Sequence, residues 1–232
     1  VQRTALVTGA GRDGGIGAAI ARRLLGAGCA VVISDLPRPM ERYPEYEGAK
    51  PSQLEALRAS LAPLGDVDAI ACDVRDPEQV QALIDGAVAR FGSLDVLVNN
   101  AGVAIGLDLV VELSDQDWQI NLDVMATGVF LCSRAAARQM IEQGAGGRIV
   151  TVASQAGKTG APLLAAYCAA KFAAIGFTQS LAHELGPYGI TVNAVCPGTV
   201  LTPLLDVKGG MMERYPEVLG ITPEQYRRKL LR

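Results

Sequence analysis

What this 232-residue chain lacks narrows its function first. No apolar run approaches the roughly 18 residues of a membrane span, so the expectation is a cytoplasmic protein with no membrane partner. The 21 basic and 24 acidic residues are interspersed and leave a net charge of −3, with no basic stripe for nucleic acid. Cys29, Cys72, Cys132, Cys168 and Cys196 are an odd set without short metal-ligand spacing. That argues against a zinc site or a disulfide framework and for reduced, buried packing residues. Cys168 stands apart because it adjoins Tyr167 and could be modified there. The single histidine, His183, and the absence of a Gly-x-Ser-x-Gly elbow disfavour a serine hydrolase. His183 lies 12 residues beyond Lys171, roughly 18 Å along one helix, and reads as a helix-surface residue. No internal repeat or low-complexity tract is visible. A small-molecule partner remains, served by a chain that is half hydrophobic and long enough for one large α/β core.

What is present alternates strand and helix. Arg3 to Thr8 is a short apolar strand, followed by Gly9-Ala10-Gly11-Arg12-Asp13-Gly14-Gly15-Ile16-Gly17 and a helical pattern from Ala18 to Ala27. Glycines there permit a tight turn and close approach of backbone to a pyrophosphate, whose charge meets the N–H groups of the helix N-terminus. A second strand, Ala30 to Ser34, ends in Asp35, 18 residues after Gly17, where a carboxylate can accept from ribose hydroxyls and repel a 2′-phosphate. NAD is therefore favoured over NADP, although Arg12 and Arg38 could approach the adenosine end.

Four prolines between Leu36 and Ser52 exclude a regular helix and predict an irregular excursion, after which a helix resumes from Gln53 to Leu64. A third strand, Val67 to Cys72, ends at Asp73-Val74, where Asp73 could reach an adenine edge or serve as a turn residue. A helix from Glu78 to Phe91 leads to strand Leu94 to Val98 and to Asn99-Asn100-Ala101-Gly102, small and amide residues suited to lie against a cofactor. Ser114 opens a long helical pattern to about Gln143, with Asp117 placed for capping. The alternation predicts a single Rossmann-like, doubly wound parallel α/β sheet with helices on both faces and ligands at the carboxyl edge of the strands.

The chemistry concentrates between Ser154 and Lys171. Ser154 follows the apolar run Arg148 to Ala153, which puts it at the carboxyl end of a buried strand. Tyr167 precedes Lys171 by one helical turn, so both side chains share a face. An ammonium beside a phenol favours the phenolate, which makes Tyr167 a base able to work on an oxygen held by Ser154. This helix continues to Leu185, and strand Ile190 to Val195 is closed by Cys196-Pro197-Gly198. Two helical pieces follow, around Leu204 to Tyr215 and Pro223 to Arg232. With few anchoring apolar positions, they read as a mobile lid.

Taken in order, these motifs resemble the classical short-chain dehydrogenase/reductase (SDR) family. The matches are Thr8-Gly9 with Gly15-Ile16-Gly17, Asp73-Val74, Asn99-Asn100-Ala101-Gly102, Ser154 with Tyr167 and Lys171, and Pro197-Gly198 with Thr202. The resemblance implies a general acid/base at Tyr167, substrate orientation by Ser154, and a Lys171 that holds the nicotinamide ribose. Cofactor contacts are implied at Gly9, Gly11, Gly15, Ile16 and Gly17, then at Asp35, Asp73 and Val74. Asn99, Ala101, Gly102, Tyr167, Lys171, Pro197, Gly198, Val200 and Thr202 complete that implied set. Residues 1–110 would mainly hold the cofactor, 111–198 the catalytic groups, and 199–232 the lid. The implied reaction is NAD-dependent interconversion of a secondary alcohol, such as a polyol or hydroxyketone, with its ketone. The alternatives are an NADP-dependent carbonyl or ketoacyl-type reductase and a nucleotide-sensing protein of weakened catalysis. A homotetramer or homodimer is the implied assembly.

The chain departs from the family pattern in three places. Two extra residues separate Gly9 from Gly15. Met125 stands where the family carries an asparagine on its proton route, with Asn121 one turn earlier. Asn121 then reaches the site through a local helix irregularity, or backbone and water carry the relay. Finally, family members usually continue with another helix and strand, so the expectation is a chain extending past Arg232 and surfaces for assembly lying there.

Overall fold

A computed structural model of the protein describes residues 2–36, 40–43, 51–207 and 210–230. Six strands among them form one sheet: β1 Thr4–Thr8, β2 Ala30–Asp35, β3 Val67–Ala71, β4 Val96–Asn99, β5 Gly147–Val152 and β6 Ile190–Val195. Their order is β3-β2-β1-β4-β5-β6, and every neighbouring pair is parallel. Thr4 to Thr8 are all buried, as a central strand covered on both faces requires.

Alternate residues of β1 feed two cores. Ala5 and Val7 pack with Ala18, Ala21 and Leu25 of α1 (Ile16–Leu25) and with Leu54, Leu57 and Leu61 of α2 (Pro51–Leu61). Leu6 faces the other way, toward Val80, Leu83 and Ile84 of α3 (Pro77–Phe91) and toward the helices that follow it. Strand order reverses between β1 and β4, which leaves a crevice at their carboxyl ends where Rossmann-like sheets bind ligands.

Helix ends follow local chemistry. Asp76 caps α3 by accepting the N–H groups of Glu78 and Gln79, and Gly92 ends it at φ 87°. Ser114 caps α4 (Asp115–Leu122) by accepting from the Asp117 N–H. The single long helix expected from Ser114 is interrupted: a π-helical turn, Asp123–Thr127, separates α4 from α5 (Gly128–Gln143). α6 (Ala165–Leu185) carries the Tyr167 motif, and His183 is exposed on it as expected.

Helix α2 starts at Pro51, two residues before the expected resumption, because proline is well placed in a first helical turn. Of the preceding excursion, Arg38 lies outside the described residues, while Tyr43 donates from its hydroxyl to Asp117 Oδ1 at 2.8 Å.

The expected helix from Leu204 to Tyr215 is corrected. Leu204 to Val207 lies in turns, and α7 (Met211–Leu219) begins only after Gly210, followed by α8 (Pro223–Leu230). The lid is also better anchored than its sequence suggests, because Met212, Pro216 and Tyr226 are buried. Among the described residues, no helix is long and apolar enough to cross a membrane.

Candidate active site

The crevice at the strand ends opens into a cleft of about 500 Å³ that runs from Asp35 to Tyr226. Its first wall is the turn after β1. Gly9 has φ +62°, and a Cβ there would come within 2.5 Å of Ala101 Cα, so only glycine lets the two strand ends approach. Asn100 fixes this turn, donating from Nδ2 to the carbonyls of Thr8 at 2.9 Å and Gly9 at 2.8 Å. The Thr8 hydroxyl accepts the N–H groups of Asn100 and Ala101. Gly9, Gly15 and Ile16 line the cleft beside the N-terminus of α1, as a pyrophosphate site requires. Gly11 and Gly17 do not line it. Gly11 instead donates its N–H to Asp35 Oδ2 at 2.7 Å, and Gly17 packs against Asn100 and Ala10.

Asp35 lines the cleft at the end of β2 and takes a second N–H, from Leu36 to Oδ1, at 2.7 Å. Burial pushes its carboxyl above the usual range, opposed by these two N–H groups and the Arg12 guanidinium. A carboxylate has about four acceptor sites, so two N–H groups leave room for a pair of ribose hydroxyls. Arg12 lines the same end. This turn, this helix terminus and Asp35 fit the adenosine and pyrophosphate of a dinucleotide.

Asp73 and Val74 also line the cleft. Asp73 already grips Arg75, which donates from Nε to Oδ1 at 2.8 Å and from its terminal nitrogen to Oδ2 at 2.5 Å. Arg75 shares the cleft and has no counterpart among the sequence-derived candidates. Asn99 is a further departure. Its side chain is buried, donates to the Ser133 hydroxyl at 2.8 Å, and does not line the cleft, because alternate residues at a strand end face opposite sides.

The reacting groups lie at the end of β5 and on the first turns of α6. A Cβ at Gly157 would meet the Lys171 carbonyl at 2.8 Å, so this glycine lets the loop carrying Ser154 sit directly on α6. The Ser154 hydroxyl accepts the Ala156 N–H at 3.1 Å and lies near enough to the Tyr167 phenol to favour its ionised form. Lys171 is buried, places Nζ 5.6 Å from the Tyr167 ring centre, and donates to the Val152 carbonyl at 2.8 Å. All three side chains line the cleft, as do Ala101, Gly102, Pro197, Gly198, Val200 and Thr202.

Burial acts on both ends of the Tyr-Lys pair. It pushes the Tyr167 phenol up, against the Ser154 hydroxyl, and brings the Lys171 ammonium down to about 8. The expected lowering at Tyr167 is thus reversed in the free protein. Desolvation of the phenolate outweighs the favourable contribution of Ser154.

Met125 lines the cleft, with its sulfur 3.5 Å from where a Gly102 Cβ would lie. The helix irregularity is present, yet Asn121 does not enter the cleft. Its Nδ2 donates to the carbonyls of Ile105 at 2.9 Å and Asp117 at 2.7 Å, which ties α4 to the loop after β4. Cys168 is buried among Leu107, Ala156 and Leu164 behind the cleft wall and does not line it.

The lid supplies Leu204, Leu205, Met211, Tyr215 and Tyr226 to the other wall. The two tyrosines come from outside the recognisable motifs. Their one sequence signal is an aromatic on each of two short helical patterns.

A model of the family described as short chain dehydrogenase matches residues 3–210. The D-threitol dehydrogenase of Mycolicibacterium smegmatis is 43% identical over 205 residues, covering 87% of this chain and 72% of its own. The structure of an NAD+-bound xylitol dehydrogenase has a TM-score of 0.75 at 38% identity, over 84% of this chain and 70% of that one. An actinorhodin polyketide ketoreductase with NADPH reaches a TM-score of 0.84 at 37% identity, over 97% and 80%. Together with the parallel sheet and the motif order, these matches place the chain in the short-chain dehydrogenase/reductase family, NAD(P)-dependent oxidoreductases acting on alcohol and ketone groups.

Proposed function

We propose that the protein interconverts a secondary alcohol and its ketone with NAD, using Tyr167 as general acid/base. The carrying observation is the convergence of Ser154, Tyr167 and Lys171 on one cleft whose far end presents Asp35. Gly9, Gly15 and Ile16 would hold the pyrophosphate, Asp35 the adenosine ribose, and Lys171 the nicotinamide ribose. When bound, the nicotinamide supplies the hydride acceptor or donor.

The chain's own residues move the proton. Ser154 holds the substrate oxygen beside the Tyr167 phenol, whose ionised form its hydroxyl favours. In oxidation the Tyr167 phenolate takes the hydroxyl proton as the carbon loses hydride, and in reduction the phenol returns it. Lys171, still protonated near neutral pH with its group at about 8, offsets the phenolate charge. With Met125 at the family's asparagine position, proton exchange with solvent runs through backbone and water beside Lys171. Residues 1–110 then serve mainly the cofactor, 111–198 the chemistry, and 199–232 the lid. Exposed Trp118, Phe130 and Phe172 on α4, α5 and α6 support a homodimer or homotetramer, which sedimentation equilibrium would register.

Separate fluorescence titrations with NADH and NADPH test the cofactor. Tighter NADH binding supports Asp35 as selector, while tighter NADPH binding assigns control to Arg12 or Arg38 and shifts the function to NADP-dependent carbonyl reduction. Alcohol-dependent formation of reduced nicotinamide tests the reaction, and tight binding without turnover of any alcohol or ketone would favour a nucleotide sensor.

A further inference from the structure

The substrate end of the cleft has a wall that the reaction itself does not need. Tyr215 on α7 and Tyr226 on α8 stack with ring centres 5.5 Å apart and planes 19° from parallel, and both line the cleft. Tyr226 is only 6% exposed, so its ring is a fixed backing for the pair. Tyr215 is fastened from the opposite side, its hydroxyl donating to the Pro162 carbonyl at 2.7 Å. The neighbouring Arg214 pairs with Asp108 and donates from Nε to the Leu107 carbonyl at 3.3 Å, which holds α7 over the loop after β4.

Apolar side chains continue from this wall among the described residues. Ala161, Leu164 and Met211 line it, and Leu164 follows Leu163, a non-glycine residue held at φ 62°. A left-handed backbone at a leucine persists only where the surroundings hold it in place. Among the described residues, the polar side chains that line the cleft on the Ser154 and lid sides, beyond Ser154 and the tyrosines, are Gln155, Thr159, Thr199 and Thr202. The Tyr215 hydroxyl is already donated to Pro162. An open-chain polyol would bring several hydroxyls into this space with few partners, and buried unpaired hydroxyls are costly. A flat apolar ring needs none, and aromatic faces favour offset stacking.

We infer that the substrate is a ring alcohol or its ketone, with its flat apolar ring against the Tyr215–Tyr226 pair and its oxygen at Ser154 and Tyr167. This rests on the alcohol–ketone reading above and names its substrate class. Tyr215 is then the specificity residue.

The test compares kcat/KM for indanol and tetralol with that for open-chain four- and five-carbon polyols, using the full chain and its preferred nicotinamide cofactor. The expected result is a preference for ring alcohols of about tenfold or more. In Tyr215→Leu, KM for the ring alcohols rises by about tenfold with a smaller change in kcat, as loss of an aromatic stack predicts. Tyr215→Phe, which keeps the ring, recovers most of that loss. NADH titration of each variant shows that it is folded. Polyols preferred over ring alcohols, or a Tyr215→Leu variant with unchanged ring-alcohol KM, would overturn the inference while leaving the dehydrogenase reading intact. Failure of every alcohol and ketone, with NADH still bound, would overturn both.

Discussion

The two ends of the cleft are built differently. At the cofactor end, side chains are tied to backbone: Asn100 fixes the Thr8 and Gly9 carbonyls, and Asp35 is fixed by the N–H groups of Gly11 and Leu36. Behind them, β1 is wholly buried and β2 is buried up to Asp35. At the lid end, partly exposed ion pairs between side chains do most of the holding. Arg214 reaches Asp108, Arg227 reaches Asp206 at 2.9 Å, and Tyr215 reaches Pro162. The Arg214–Asp108 pair is about one-third exposed and the Arg227–Asp206 pair about half. Backbone contacts set by close packing leave little freedom for substitution, while exposed ion pairs are individually weak. The cofactor end is therefore the rigid half of the cleft, and the lid is the half in which substrate preference can be altered without unfolding the sheet.

The largest effect on stability is expected at Gly9. Gly9→Ala imposes a left-handed alanine and a 2.5 Å contact with Ala101. The cost is about 2–4 kcal/mol, read as a lowered urea midpoint together with lost NADH binding. Unchanged stability would mean that the two strand ends are not tightly packed.

Lys171 gives the next largest effect. Its group sits at about 8, below the unfolded value near ~10.4, so the burial cost is complete below about pH 8 and fades as pH rises toward the unfolded value. The free protein should therefore gain up to about 3 kcal/mol from this group over that interval. Urea unfolding at about pH 8 and about pH 10, compared with Lys171→Met, measures it, and equal pH dependence in the two proteins would contradict the assignment.

Asp35→Ser removes a charged acceptor from the Gly11 and Leu36 N–H groups. It should weaken NADH binding by about 10-fold or more and narrow or reverse the preference over NADPH. The smallest effect belongs to the lid. Arg214→Gln should change stability by no more than about 1 kcal/mol, leave NADH affinity unaltered and raise the alcohol KM several-fold. A large loss of NADH affinity would show that the two ends are coupled.

The same division explains what could be read from the sequence. Strand ends and the glycine turn were legible because their chemistry is local: Gly9, Gly15, Asp35, Ser154, Tyr167 and Lys171 each lie where a short pattern puts them, and all line one cleft. Asn99 faces Ser133 and not the cleft because side chains alternate at a strand end. Asn121 was open because a π-turn cannot be counted from spacing, and the structure sends its side chain to Ile105 and Asp117. Tyr215 and Tyr226 were not legible as site residues. They reach the cleft only through the tertiary packing of two short helices against Pro162 and Leu107. The Tyr167 shift was missed for a related reason, since burial of the whole pair has no local sequence signature.

The most direct test is Tyr167→Phe, with NADH affinity and alcohol-dependent turnover measured on the same preparation. The expected result is NADH binding within a few-fold of the parent protein and turnover reduced by about 10²–10⁴-fold, the usual contribution of a positioned acid/base. Turnover close to that of the parent would remove Tyr167 from the chemistry and with it the proposed route of the proton.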